Sequence, residues 1–317
     1  MILSVSRRTD IPAYYSEWFI NRLKEGYVCI KNPMNAFQIS KVSLNPSVVD
    51  CIVFWSKNPA PMVNYLNQIN NMGYKYYFQF TITPYDKTLE PGLPDKRKIK
   101  ETFFALSERI GKDKVIWRYD PIILNEKLSI QYHINAFGNM MSVLSNFTNE
   151  CIISFVDPYK KTRRQMGANL VRDISKDEMN AIAEEFSKIA RNTSVKLKTC
   201  AEPIDLSKYG IDHASCIDQN IIENIIGCPL AKNVKKDAQR QSCGCMECID
   251  LGAYNTCKNG CLYCYANISP DAIKTNYKKH NPVSPLLIGE ITEKEKVNDR
   301  KVKSLRTKNL AQIQFKL

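Results

Sequence analysis

Nine of the chain's twelve cysteines lie after residue 199, and six of them fall between Cys243 and Cys264. Thiols this dense bind metal or pair as disulfides, and spacing helps to separate the two. The run Cys257-Lys258-Asn259-Gly260-Cys261-Leu262-Tyr263-Cys264 has the form C-x3-C-x2-C, with an aromatic residue before the last thiol. Three thiolates at that spacing suit a cube-shaped iron–sulfur cluster, holding three irons and leaving the fourth without a protein ligand. An open iron is a place for chemistry. Gly260 relieves crowding where backbone must wrap a cluster. A zinc reading pairs Cys245-x2-Cys248 with Cys261-x2-Cys264, twelve residues apart, as in a four-thiolate ribbon. It leaves Cys243 and Cys257 unexplained, so iron–sulfur is the expectation. Cys29, Cys51 and Cys151 sit in apolar runs and read as small buried hydrophobes. His133, His213 and His280 fit no ligand spacing.

The elements that would position such a cluster are legible as a repeated unit of apolar strand, polar loop and amphipathic helix. Strands are predicted over Ile2–Ser6, Cys51–Trp55, Tyr76–Ile82, Val115–Arg118, Cys151–Val156 and Val195–Lys198. Helices are predicted over Tyr14–Glu25, Pro61–Met72, Lys96–Ile110, Ser129–Ser145 and Lys176–Arg191. Gly26 and Gly73 stop the first two, and Ser175 with Glu178 forms a capping box for the last. Tyr27–Ile30 and Ala36–Ile39 about Asn32-Pro33 read as an inserted hairpin. Six such units predict an α/β fold, a parallel (β/α)6 partial TIM-like barrel over residues 1–202. An open doubly wound sheet is the alternative. No dinucleotide fingerprint and no P-loop is present. Residues 203–317 are loop-rich and cysteine-rich, with a short helix near Asp218–Ile226. This region is expected to be organised by metal and to pack on the barrel mouth.

Each predicted strand ends in polar residues, which a parallel barrel gathers on one rim. They are Arg7-Arg8-Thr9-Asp10, Trp55-Ser56-Lys57-Asn58, Thr81 to Asp86, Arg118-Tyr119-Asp120, Asp157-Pro158 and Cys200-Ala201-Glu202. Arg7, Arg8, Lys57 and Arg118 suit anchoring of carboxylate or phosphate groups. Asp10, Asp120 and Glu202 suit acceptance from ribose hydroxyls or substrate. Tyr85, Tyr119 and Tyr254 are candidate wall residues.

The formal charge of +13 includes a basic stretch, 268–317, with eleven Lys/Arg against five Asp/Glu, and the run Lys160-Lys161-Thr162-Arg163-Arg164. Such patches favour phosphate-rich partners. No stretch approaches a membrane span, and the N-terminal run lacks a secretory signal's apolar core. A cytoplasmic protein with no membrane partner is expected.

The cysteine run Cys257, Cys261, Tyr263, Cys264 resembles the cluster motif of the radical S-adenosylmethionine superfamily. Across most of its length the chain is similar to domain-of-unknown-function family 1848. The matching stretches are Ser6 to Pro12, Phe54 to Pro59, Arg118 to Pro121, Gln239 to Cys245, and Gly252 into the cluster motif. The resemblance implies a [4Fe–4S] cluster on Cys257, Cys261 and Cys264 that binds S-adenosylmethionine and cleaves it reductively to start radical chemistry. On the enzyme reading, the strand-end residues Arg7, Asp10 and Lys57 with Tyr263 of the motif are the candidate cofactor-binding residues, and Arg118, Asp120 and Glu202 the candidate catalytic ones. It favours Cys200, Cys216, Cys243 and Cys245 as ligands of a second iron–sulfur cluster, with Cys248 or Cys228 as substitutes. A reductant such as flavodoxin or ferredoxin would be a partner, and nucleic acid a candidate substrate. The chain departs from the superfamily in order: the motif usually follows the first strand, and here it follows six. The superfamily's Gly-Gly-Glu stretch is absent, with Trp55-Ser56-Lys57-Asn58 in its place; Gly289-Glu290 could play a similar part. The competing class is a zinc- or cluster-stabilised nucleic-acid-binding protein without turnover.

Overall fold

A computed structural model describes residues 1–156, 171–232, 234–237, 243–267 and 269–307. The expected Asp157-Pro158 strand end and the basic run 160–164 lie outside these residues, as do Gln239 to Ser242. In chain order the strands are β1 (Ile2–Val5), β2 (Tyr27–Asn32), β3 (Asn35–Ser43), β4 (Cys51–Ser56), β5 (Tyr76–Thr81), β6 (Val115–Ile122), β7 (Glu150–Phe155), β8 (Lys196–Cys200), β9 (Asp212–Ala214), β10 (Ile249–Asp250) and β11 (Lys296–Arg300). The helices are α1 (Ile11–Tyr14), α2 (Ser16–Glu25), α3 (Ala60–Val63), α4 (Leu66–Asn71), α5 (Lys96–Ile110), α6 (Ile130–Leu144), α7 (Lys176–Arg191), α8 (Gln219–Ile226) and α9 (Pro270–Lys278).

Eight strands form one sheet in the order β10-β1-β4-β5-β6-β7-β8-β9, and every pair in it is parallel. Of the expected partial TIM-like barrel the parallel α/β sheet is present, but the sheet is open, with β10 and β9 as its edges. The inserted hairpin β2–β3 is longer than predicted and takes β11 as a third strand. The segment after residue 202 therefore contributes strands to both sheets. β9, β10 and β11 were not foreseen because they are two to five residues long, too short to show a period.

Central parallel strands are buried on both faces and so read as unbroken apolar runs. Alternate residues reach opposite sides. Phe54, Phe78, Trp117 and Ile153 pack with residues of α2, α4, α5, α6 and α7 in one cluster. Val53, Tyr77, Ile116 and Ile152 face the other way, against Cys216, Ile217, Ile222, Leu230 and Met246. These βα helices share one face, unlike the doubly wound alternative, and the cysteine-rich segment covers the face they leave bare.

The first predicted helix is α2, preceded by a short extra helix, α1, from which Tyr15 (φ −136°) separates it. The second is broken in two: Asn64-Tyr65 separates α3 from α4, a stretch whose many asparagines favour turns over helix. The capping box of Ser175 and Glu178 opens α7, and Gly26 ends α2 in the left-handed conformation. No helix among the described residues is long and apolar enough to cross a membrane.

Candidate active site

The C-terminal ends of the main-sheet strands surround a cavity of about 450 Å³. Arg7 and Asp10 follow β1, Trp55 comes from β4 and Lys57 follows it, Arg118 and Asp120 come from β6, Ser154 from β7 and Cys200 from β8; all line it. Seven thiols share this wall: Cys257, Cys261 and Cys264, and Cys200, Cys216, Cys243 and Cys245.

The loop bearing the first three is carried in by β10, whose Leu251 N–H continues the pairing by donating to Ser4 O (3.0 Å). Asp250 locks β10 to β1, accepting from Ser4 Oγ (2.8 Å), Ser6 Oγ (2.7 Å), Arg7 N (2.8 Å) and Arg8 Nε (3.0 Å). Gly252 is required next, because a Cβ there would stand 1.9 Å from Ser6 Oγ. The loop then docks on the segment after β5. Gly92 N donates to Asn259 O (2.9 Å) and Leu262 N to Leu89 O (3.0 Å). A Cβ on Gly92 would meet Lys258 O at 2.2 Å. Tyr15 Oη donates to Thr256 O (2.6 Å) and Tyr14 Oη to Asn259 Oδ1 (2.7 Å).

Two buried carboxylates tie this loop to the strand ends. Asp10 caps α1 through Ala13 N (3.0 Å) and accepts from Ser56 Oγ (2.7 Å), Lys57 N (2.8 Å) and Asn259 Nδ2 (3.1 Å). Burial raises its pKa, and these donors oppose the rise. Glu90 accepts from Lys57 Nζ (2.9 Å), Thr83 Oγ1 (2.8 Å), Lys96 and the Tyr263 hydroxyl. Burial would raise its pKa, but Lys57 and Lys96 outweigh it and hold the carboxyl at about 2. Lys57 also lies over the Tyr263 ring, 5.4 Å from its centre. Burial pushes the Cys261 thiol up to about 12 against the pull of Lys57.

The other four thiols form a contiguous group under Arg118. Cys200 and Cys216 have their sulfurs 3.0 Å apart, and Cys245 is hydrogen-bonded to both Cys216 and Cys243. The bond from Cys245 lowers the Cys243 pKa to about 7. Arg118 Nη1 donates to Cys216 Sγ (2.9 Å) and Gln79 Oε1 (3.2 Å), while Nε donates to Asp120 (3.1 Å). Burial opposes ionisation of Asp120, but Arg118 lowers its pKa overall. Tyr77 Oη and Gln79 Nε2 both donate to Cys216 O, at 2.7 and 2.9 Å. Two guanidinium groups lie near the Trp55 ring, that of Arg118 at 5.3 Å and that of Arg7 at 5.9 Å from its centre.

Among the described residues, no three or more His, Cys, Asp or Glu side chains stand ready to hold a metal ion. Donor chemistry nevertheless suits a cluster, because all twelve cysteines are free thiols and seven line one cavity. Three buried donors on that wall, Arg7 Nε, Thr9 Oγ1 and Trp55 Nε1, have no hydrogen-bond partner among the described residues. That is capacity the protein itself leaves unused.

Glu202 stands back from the cavity wall and accepts from Phe155 N (2.9 Å), bracing the end of β7. Arg7 is engaged with Asp237 and with Cys248 Sγ (2.8 Å), which sets Cys248 apart from the four-thiol group. Cys228 does not line the cavity. Tyr85 and Tyr119 are core residues, and His133 is buried between Tyr119 Oη and Ile123 O. Glu90, Asp250 and Gln79 escaped sequence reasoning. Gln79 carried a signal, as an amide inside an apolar strand; Glu90 and Asp250 carried none.

No curated protein and no solved structure matches the chain. A family model described as a domain of unknown function (DUF1848) matches residues 2–266.

Proposed function

The chain belongs to the DUF1848 family, and we propose that it is a radical S-adenosylmethionine-like enzyme working at the strand ends of a parallel sheet rolled part-way toward a barrel. The observation that carries this is the position of β10. It pairs in parallel beside β1, so the loop with Cys257, Cys261 and Cys264 opens at the same end as the other polar loops. In the sheet, that loop follows an edge strand and the remaining strands succeed it in order. Its late place in the chain is therefore not a late place in space.

A [4Fe–4S] cluster held by those three cysteines would supply single-electron reducing power and an open iron able to chelate S-adenosylmethionine. The chain's own residues bind and orient. Asp10 and Glu90 fix the cysteine loop, and the cationic side chains of Arg7 and Lys57 on the cavity wall suit a carboxylate on the bound molecule. Arg118 and Asp120 present a paired charge to the cavity. Cys200, Cys216, Cys243 and Cys245 would hold a second cluster. A one-electron donor such as flavodoxin or ferredoxin completes the scheme.

The test is anaerobic reconstitution with iron and sulfide, followed by reduction. A brown protein whose electron paramagnetic resonance signal shifts with S-adenosylmethionine, and which releases 5′-deoxyadenosine, supports the enzyme. Colourless protein carrying stoichiometric zinc would replace it with the metal-stabilised binding protein.

A further inference from the structure

A second cavity of about 460 Å³ opens beside the first and shares Arg7, Arg8 and Tyr265 with it. Its lining includes four cationic residues, Arg7, Arg8, Lys31 and Arg300, and one carboxylate, Asp250. The charges are unequally committed. Arg7 is paired with Asp237, Arg8 with Asp250 and Lys31 with Glu295. Arg300 is exposed and makes no ion pair among the described residues. Two tyrosines complete the wall. Tyr254 and Tyr265 are each 44% exposed, so their rings are open to a ligand. Tyr265 Oη donates to Arg7 O (2.7 Å), which pins its ring at the boundary between the two cavities. The Arg8 guanidinium lies 5.6 Å from the centre of the Tyr254 ring.

A concave surface with an uncommitted cation among paired ones and with exposed aromatic faces recognises a ligand that is anionic at one part and flat at another. We propose that this second cavity binds a nucleotide unit, its phosphate on Arg300 and Arg8 and its base against Tyr254 or Tyr265. The shared wall would let the rest of the ligand reach the cysteine-lined cavity. As a substrate site this rests on the function proposed above, but as a binding site it needs no cluster. The unit could be a free nucleotide or part of a single strand, since both present the same phosphate and base.

Fluorescence anisotropy with a labelled oligothymidylate tests this, on protein before and after cluster reconstitution. Unlabelled oligothymidylate, a thymidine mononucleotide and inorganic phosphate serve as competitors. Binding in both preparations is expected. Tyr254→Ala should weaken it about fivefold or more, and Arg300→Ala should weaken it and flatten its salt dependence by roughly one phosphate contact. Competition by the mononucleotide as strong as by the oligonucleotide identifies a free nucleotide; competition by the oligonucleotide alone identifies a strand. Absence of binding, indifference to both substitutions, or phosphate competing as well as the mononucleotide would overturn the proposal. Nucleotide binding without S-adenosylmethionine cleavage would sink the enzyme and leave this site standing; cleavage without nucleotide binding would do the reverse.

Discussion

Asp10, which caps α1 after the first strand, accepts a hydrogen bond at 3.1 Å from Asn259, which lies 249 residues later between Cys257 and Cys261. One carboxylate thus joins the start of the chain to the loop proposed to hold the cluster. Asp10→Ala leaves Asn259, Ser56 and two backbone N–H groups without their acceptor, at a cost of ~3 kcal/mol. Denaturant unfolding should show that loss, and iron retained per chain after gel filtration should fall with it.

Glu90 is the counterion of two lysines in a buried setting. Glu90→Gln strands them and should cost about 3 kcal/mol. Lys57→Met in the same chain should recover part of the loss. A double-mutant cycle with no coupling between Glu90 and Lys57 would show that their contact does not stabilise the fold.

Gly92 separates packing from backbone effects. Gly92→Ala pushes a Cβ against Lys258 O, and overpacking of this kind costs roughly 1–3 kcal/mol. Gly73→Ala meets nothing within 4 Å but strains a positive φ, at about 1 kcal/mol. Only the first should reduce iron retention.

The two thiol groups should lose iron independently. Cys261→Ala is expected to remove one cluster's iron and the response to S-adenosylmethionine, and Cys216→Ala to remove the other's iron. If either change empties both sites, the seven thiols serve a single site.

His133 gives a pH dependence that does not involve the cysteines. It is packed among Tyr85, Tyr119 and Tyr132, and burial lowers its pKa from 6.5 to about 4. Between those values the unfolded chain takes up a proton that the folded one refuses. Stability present at pH 7 is therefore lost as pH falls, by about 2 kcal/mol at pH 5 from this group. Unfolding midpoints measured at both pH values for the wild type and His133→Gln should differ by that slope.

Local information determined the alternation of strand and helix, the capping box at Ser175 and the C-x3-C-x2-C loop. Burial of parallel strands makes apolar runs, caps need particular residues, and cluster ligands come close in sequence. Tertiary structure decided the rest. The βα helices all pack on one face of the sheet, so the other face had to be covered. The segment around Cys216 does this, against Val53, Tyr77 and Ile116. That packing brings Cys216 to Cys200 and under Arg118, which no spacing rule could show. A two-residue strand, Ile249–Asp250, was enough to seat the cysteine loop beside β1. Its hold depends on Asp250 meeting Ser4, Ser6 and Arg8, contacts between residues more than 240 positions apart. Residue types suggested a chemistry, and long-range pairing decided which side chains stand together.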